Sequence, residues 1–166
     1  VPASAPWKTV KDFVEDAKAR PGQIPYGSSG PYGTLHIAME MFAASAGIKL
    51  LHVPFRGAGP ALTGLLSGTV QAVASAPGTL RAQVDDGKMR VLAGWGAKRV
   101  PSFPDVPTFQ ELGYKDVEFY IWAGLFAQTA LPAPIMTRLR TAVGEAVRAP
   151  EVVKTFETAV SPVAYL

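Results

Sequence analysis

The chain has 166 residues, with 16 Lys plus Arg, 13 Asp plus Glu, two His and no Cys. Apolar residues make up 48% and charged residues 17%, which excludes intrinsic disorder, and the lack of cysteine excludes a disulfide framework and thiol chemistry. Gly (16) and Pro (15) are abundant but punctuate the chain without repeating, so collagen-like and low-complexity readings fail.

In chain order, the first predicted element is a helix over 9–20, with Thr9 and Asp12 spaced as a capping box and Val10, Phe13, Val14 and Ala17 on one face. Arg20-Pro21-Gly22 stops it. A strand–turn–helix pattern then occurs three times. The first has a strand over 23–26, the turn Gly27-Ser28-Ser29-Gly30-Pro31-Tyr32-Gly33, and a helix burying Leu35, Met39, Phe42 and Ala46. The second has a strand over 50–55, the turn Arg56-Gly57-Ala58-Gly59, and a helix opened by Pro60 that carries Leu62, Leu65 and Leu66. The third has a strand over 70–74, the turn Ser75-Ala76-Pro77-Gly78, and a helix over 79–86 closed by Gly87. A further strand is predicted over 90–95.

Strands alternating with helices at this spacing predict βαβ units and a mostly parallel sheet flanked by helices, an α/β fold. After Trp95 the rhythm breaks. A proline-marked loop over 98–107 precedes a short helix over 108–112 and an extended segment over 117–127. Two helices follow, over 132–148 with Ile135, Leu139 and Val143 inward, and over 150–159. No apolar run reaches the roughly 18 residues of a membrane-spanning helix. The opening segment Val1-Pro2-Ala3-Ser4-Ala5-Pro6 is expected to be a linker and not a signal peptide.

Enzyme constellations are sparse. No G-x-S-x-G elbow surrounds a serine, no Walker sequence precedes Lys88, and two isolated histidines without cysteine argue against zinc. No cofactor is expected. His36 reads as a helix-surface residue and His52 as a packed strand residue satisfied by hydrogen bonding. An esterase-like reading requires one of them within hydrogen-bond reach of a turn serine. Basic residues do not cluster, which argues against nucleic acid. Asp85-Asp86 reads as solvated surface before a helix-ending glycine.

The three glycine-rich turns are more informative. In an open parallel sheet, turns at the carboxyl ends of strands line one crevice, and each here feeds a helix whose first amides have no intrahelical partner. Such an end accepts a carboxylate or phosphate. No carboxylate lies between Glu40 and Asp85, whereas Lys49, Arg56 and Arg81 do. Glycine and serine also build ordinary tight turns, and a carboxylate-poor stretch also arises from core, so both roles stand open at this level. Arg56 is equally placed to reach a ligand or water.

The ordered motifs Tyr26-Gly27-Ser28-Ser29-Gly30, His52-Val53-Pro54-Phe55-Arg56-Gly57, Pro60-Ala61-Leu62, Asp86-Gly87-Lys88-Met89-Arg90, Phe103-Pro104-Asp105-Val106-Pro107-Thr108 and Trp122-Ala123-Gly124-Leu125-Phe126-Ala127 resemble the substrate-binding proteins of tripartite tricarboxylate transporters, the Bug-type receptors. The resemblance implies a periplasmic, two-lobed binding protein that closes on a small organic carboxylate and delivers it to a membrane permease. It places the second, ligand-binding lobe at 1–122 and a return strand with helices that pack on the first lobe at 123–166. It implies a non-enzymatic role, with the carboxylate held by Ser28, Ser29, Gly30, Gly33 and Thr34, helped by Phe55, Arg56, Gly57 and Ser75. In a complete receptor, replacing Gly33 with a β-branched residue is expected to abolish uptake. The sequence departs from the family at Tyr32, where a small residue is common, and at Ala74-Ser75-Ala76, where an aspartate is common. Family members are nearly twice as long. The alternative is a self-associating module, a homodimer through the apolar surface of 117–127 and 135–147.

Overall fold

The computed structural model describes residues 1–121 and 124–158. The chain divides into two compact units, Val1–Ile121 and Trp122–Leu166. In the first unit, α1 spans Val10–Ala19. Thr9 Oγ1 accepts from the Asp12 amide at 3.2 Å while the Asp12 carboxylate accepts from the Thr9 amide at 2.9 Å, closing the expected capping box. Val10, Phe13, Val14 and Ala17 are buried, as their spacing predicts.

Three strand–helix repeats follow: β1 Pro25–Ser28 with α2 Thr34–Ala46, β2 Leu51–Pro54 with α3 Ala58–Leu66, and β3 Ala72–Val73 with α4 Pro77–Asp85. The strands form one parallel sheet in the order β2-β1-β3, with Tyr26 opposite both His52 and Ala72. The sheet separates two clusters. Trp7, Phe13, Tyr26, Met39, Phe42, Ala72 and Ala74 belong to one. Leu65, Val70, Leu80 and Met89 form the other, with Val53, Phe55 and Val73 against it. Ala72 and Val73 therefore face opposite sides, the period of two expected of a strand. This is the α/β architecture that the alternating elements predict.

Several bounds differ from expectation. β1 lies two residues later than predicted, and β3 keeps only Ala72–Val73. α3 opens at Ala58 instead of Pro60, because Gly57 at φ +120° makes the turn that starts it; Pro60 then sits in the first turn, where its missing amide proton costs nothing. α4 opens at Pro77 for the same reason. Leu66 is 44% exposed and lies off the buried face.

The predicted strand over 90–95 is not formed. Its backbone is taken up elsewhere: Arg90 N donates to Val1 O, Gly94 N to Pro107 O, and Trp95 O accepts from Phe119 N. The predicted helix over 108–112 is a turn. Thr108 and Glu111 make the reciprocal bonds of a helix start, but Gly113 at φ +87° reverses the chain and Tyr114 N donates back to Phe109 O at 3.0 Å.

In the second unit, α5 spans Ala133–Ala146 and α6 spans Pro150–Thr158. Ile135 and Leu139 are exposed, not inward as predicted, because no described strand or sheet in this unit gives them a surface to cover. The predicted extended segment over 117–127 has no assigned strand among its described residues. The expectations for Trp122 and for the chain end after Thr158 lie outside the described residues.

Candidate functional site

The carboxyl ends of all three strands lie along one edge of the sheet. Ser28 is in register with Pro54 and Gly27 with Val73. Beyond the ladder, Phe55 N donates to Ser28 O at 3.0 Å and Ala74 N to Gly27 O at 3.2 Å. The turns after β1, β2 and β3 thus stand side by side. β1 is central: the connection from β1 runs to β2 on one side, and the connection from β2 crosses back to β3 on the other, a reversal of strand order that opens a crevice in such sheets.

Each turn ends at a helix start without a side-chain cap: Gly33 before α2, Gly57 before α3, Ala76 before α4. The amides of Thr34, Leu35 and His36 therefore point out of α2 with no partner among the described residues, as do those of Ala58 and Gly59 in α3. α4 offers less, since Pro77 has no amide proton and Thr79 N donates to Ala76 O. The partial positive charge of helix starts is directed at the turns, and no acidic residue occupies the first turn of α2, α3 or α4.

The expected site residues divide by their surroundings. Ser29, Gly30, Gly33 and Thr34 are half-buried along the first turn, and the hydroxyls of Ser29 and Thr34 bond to no described group. Arg56 is exposed and makes no ion pair with a described residue. Ser75 Oγ is shielded from solvent and bonds to nothing described. Phe55 contributes backbone only. Its ring turns away into the second cluster, wedged so closely that a Cβ built on Gly27 or Gly64 would lie 3.1 Å or 2.5 Å from it. Gly30 at φ +148° and Gly57 at φ +120° hold backbone that side-chain-bearing residues rarely adopt, whereas Gly33 at φ −75° does not. The backbone restriction in this turn therefore falls on Gly30, not on Gly33.

Ser28 is completely buried. Its Oγ lies 3.0 Å from Gly30 O and 2.7 Å from His52 Nε2, so it ties the turn down from beneath. The His36 and His52 rings stack at 3.8 Å with 9° between their planes. Tyr26 lies against His52 and donates its hydroxyl to Glu40 Oε1 at 2.6 Å, and Tyr32 N donates to His36 Nδ1 at 2.9 Å. Burial, and then the neighbouring His36, push the His52 pKa down against a weaker upward pull from Glu40. Burial and the bond to Glu40 raise that of Tyr26.

Sequence reasoning placed His36 on a surface and missed this cluster. The available signal was that Tyr26 and His52 occupy equivalent places in successive strands, which parallel pairing brings together. A turn serine does lie in reach of a histidine, the condition for a hydrolase. Yet Ser28 is closed to solvent, and the neighbour on the face of His52 is an imidazole, with no described carboxylate bonded to it. The contact anchors a turn and presents no nucleophile. An open hollow of about 310 Å³ at the far end of α2, lined by Met41, Ala44, Ser45, Lys115 and Asp116, gathers no comparable set of donors.

The family described as "Tripartite tricarboxylate transporter family receptor" matches residues 1–164. A Cupriavidus necator protein described as "UPF0065 protein in gbd 5'region" is 39% identical over 150 residues, covering 90% of this chain and 45% of its own. The chain thus spans about half the length of the curated relatives it matches. A solved TctC solute-binding protein from Polaromonas is 31% identical, with a TM-score of 0.80 over 100% of this chain and 57% of its own. The structure "R. palustris Rpa4515 with adipate" is 28% identical, with a TM-score of 0.84 over 98% of this chain and 55% of its own.

Proposed function

The chain belongs to the tripartite tricarboxylate transporter receptor family, and from that premise we propose that its three adjoining turns bind one carboxylate group of a small organic acid. The receptors of this family are periplasmic solute-binding proteins, and we assign this chain the same place and role, the capture of a di- or tricarboxylate for the membrane permease of a tripartite transporter. One observation carries the reading. The uncapped starts of α2 and α3 follow the turns after the paired strands β1 and β2, and the Ser75 Oγ, shielded from solvent and bonded to nothing described, stands just past the end of β3, which also pairs with β1. A carboxylate seated there accepts backbone amides and hydroxyls from Ser29 and Thr34, with Arg56 as a mobile counter-charge. The adipate in a relative of this fold supports a dicarboxylate.

The domain division at 122 is carried forward in the same way. Residues 1–122 supply the ligand turns, and the exposed faces of α5 and α6, with Ile135, Leu139 and Phe156, suit packing against further chain of the kind the longer relatives have. The self-association alternative finds no support among the relatives, which are described as receptors.

Titrating the isotopically labelled chain with adipate tests the site. The expected result is weak, saturable shifts at the amides of residues 29–36 and 57–59, because contacts from only part of a longer receptor's clamp are present. Gly30→Val should remove them while leaving the rest of the spectrum unchanged. Shifts that spare these amides, or a Gly30→Val chain that binds as before, would overturn the assignment.

A further inference from the structure

We propose that His36 positions the turn after β1 through its neutral imidazole, and that protonation of His36 releases the turn; the consequence for binding rests on the carboxylate reading above. Tyr32 stands at φ +58°, a conformation that residues with a Cβ avoid, between Gly30 and Gly33 in the turn. Its ring is 86% exposed, so no core contact holds it there. What holds it is its amide, which donates to His36 Nδ1 at 2.9 Å. The acceptor is a lone pair, so Nδ1 carries no proton in this arrangement, and the ring proton sits on Nε2, 3.8 Å from Glu40 Oε1. A second proton has only Nδ1 to occupy. There it would face the Tyr32 N–H, donor against donor, and the bond would be lost.

The groups around the ring come from every neighbouring element. His52 of β2 stacks on it, Tyr26 of β1 lies 6.4 Å away between ring centres, Tyr32 covers it from the turn, and Glu40 is the carboxylate facing it from α2. Glu40 offers an arriving proton a counter-charge, whereas burial, and then the neighbouring His36, disfavour the charged form of His52. With His36 neutral the turn is clamped and its amides converge; with His36 protonated the Tyr32 amide is free and they do not. Carboxylate affinity should therefore fall in acid. A histidine pair acting simply as extra positive charge would make it rise.

Amide NMR of the ligand-free chain from pH 8 to 5 is the primary test, since it needs no ligand. The Tyr32, Gly30 and Gly33 amides should move together with the His36 ring resonances. His36→Asn places an amide oxygen where Nδ1 was, and should hold the Tyr32 amide at its high-pH position throughout. His36→Ala should show the released position at every pH, and His52→Gln should leave the Tyr32 titration in place. In binding, affinity for adipate and for an alkane disulfonate, which stays ionised, should each drop about five- to tenfold between pH 8 and 5, as loss of one hydrogen bond implies. His36→Asn should abolish that drop. A Tyr32 amide indifferent to pH, or a His36→Asn chain titrating like the parent, overturns the clamp. If the turn titrates as stated but neither anion binds, the clamp stands and the carboxylate reading fails. Should the variants not fold, the parent's Tyr32 and His36 titrations still decide.

Discussion

At Phe55 one side chain links the second cluster to the candidate site. Its ring is held between Gly27 and Gly64, while its amide joins β2 to the end of β1 at Ser28. A methyl group at position 64 would lie 2.5 Å and 2.9 Å from ring carbons of Phe55, with Gly27 blocking retreat on the other side. Gly64→Ala should therefore destabilise the protein, because overpacking at about 1–3 kcal/mol outweighs a helix-propensity gain of up to ~1 kcal/mol. Chemical denaturation measures it, together with shifted amides at Ser28 and Phe55; a stabilised variant would refute the wedge. The residue types here were readable but their duties were not. Phe55 was placed at the ligand by the family resemblance, together with Arg56 and Gly57, and its ring packs against the second cluster. Gly33 was singled out where Gly30 holds the restricted backbone, a difference of dihedral angle that no residue name reveals.

Among the elements, the helices were the most legible. α1 was specified by an apolar face every three or four residues and by side chains that cap its own backbone, all of it local. Thr9→Ala should lower stability by about 1 kcal/mol, the usual worth of such a cap, and hydrogen exchange should rise at the Asp12 amide first. No change in exchange there would show the cap to be idle. Thr108 and Glu111 make the same pair of bonds, yet no helix follows, because Gly113 closes the chain after one turn. The segment over 90–95 failed as a strand for a comparable reason. An apolar run can pair with any open edge, and here the partners are the residues near Val1 and Pro107, both remote in sequence.

For the whole molecule, the buried apolar side chains among the described residues lie between Trp7 and Val117, so both clusters belong to the first unit. Residues 1–121 alone should fold and melt cooperatively, with the near-ultraviolet signal of Trp7 and Trp95 intact. A non-cooperative melt would mean that the second unit is required for the core. The exposed faces of α5 and α6 follow from the same distribution. Their periodicity is that of helices with something to cover, and the described residues of their own unit give them no core.

The sequence by itself determined the class of fold, the order of its parallel repeats and the family, because those depend on local periodicity and on motifs in a fixed order. It also marked the three glycine-rich turns. Only the tertiary structure decided what stands beneath them. Parallel register brings Tyr26 beside His52, and α2 lays His36 on the same face, so that residues distant in the chain form one hydrogen-bonded stack under Ser28. Such a cluster has no period and no motif. It exists because three separate elements converge, and convergence is a property of packing.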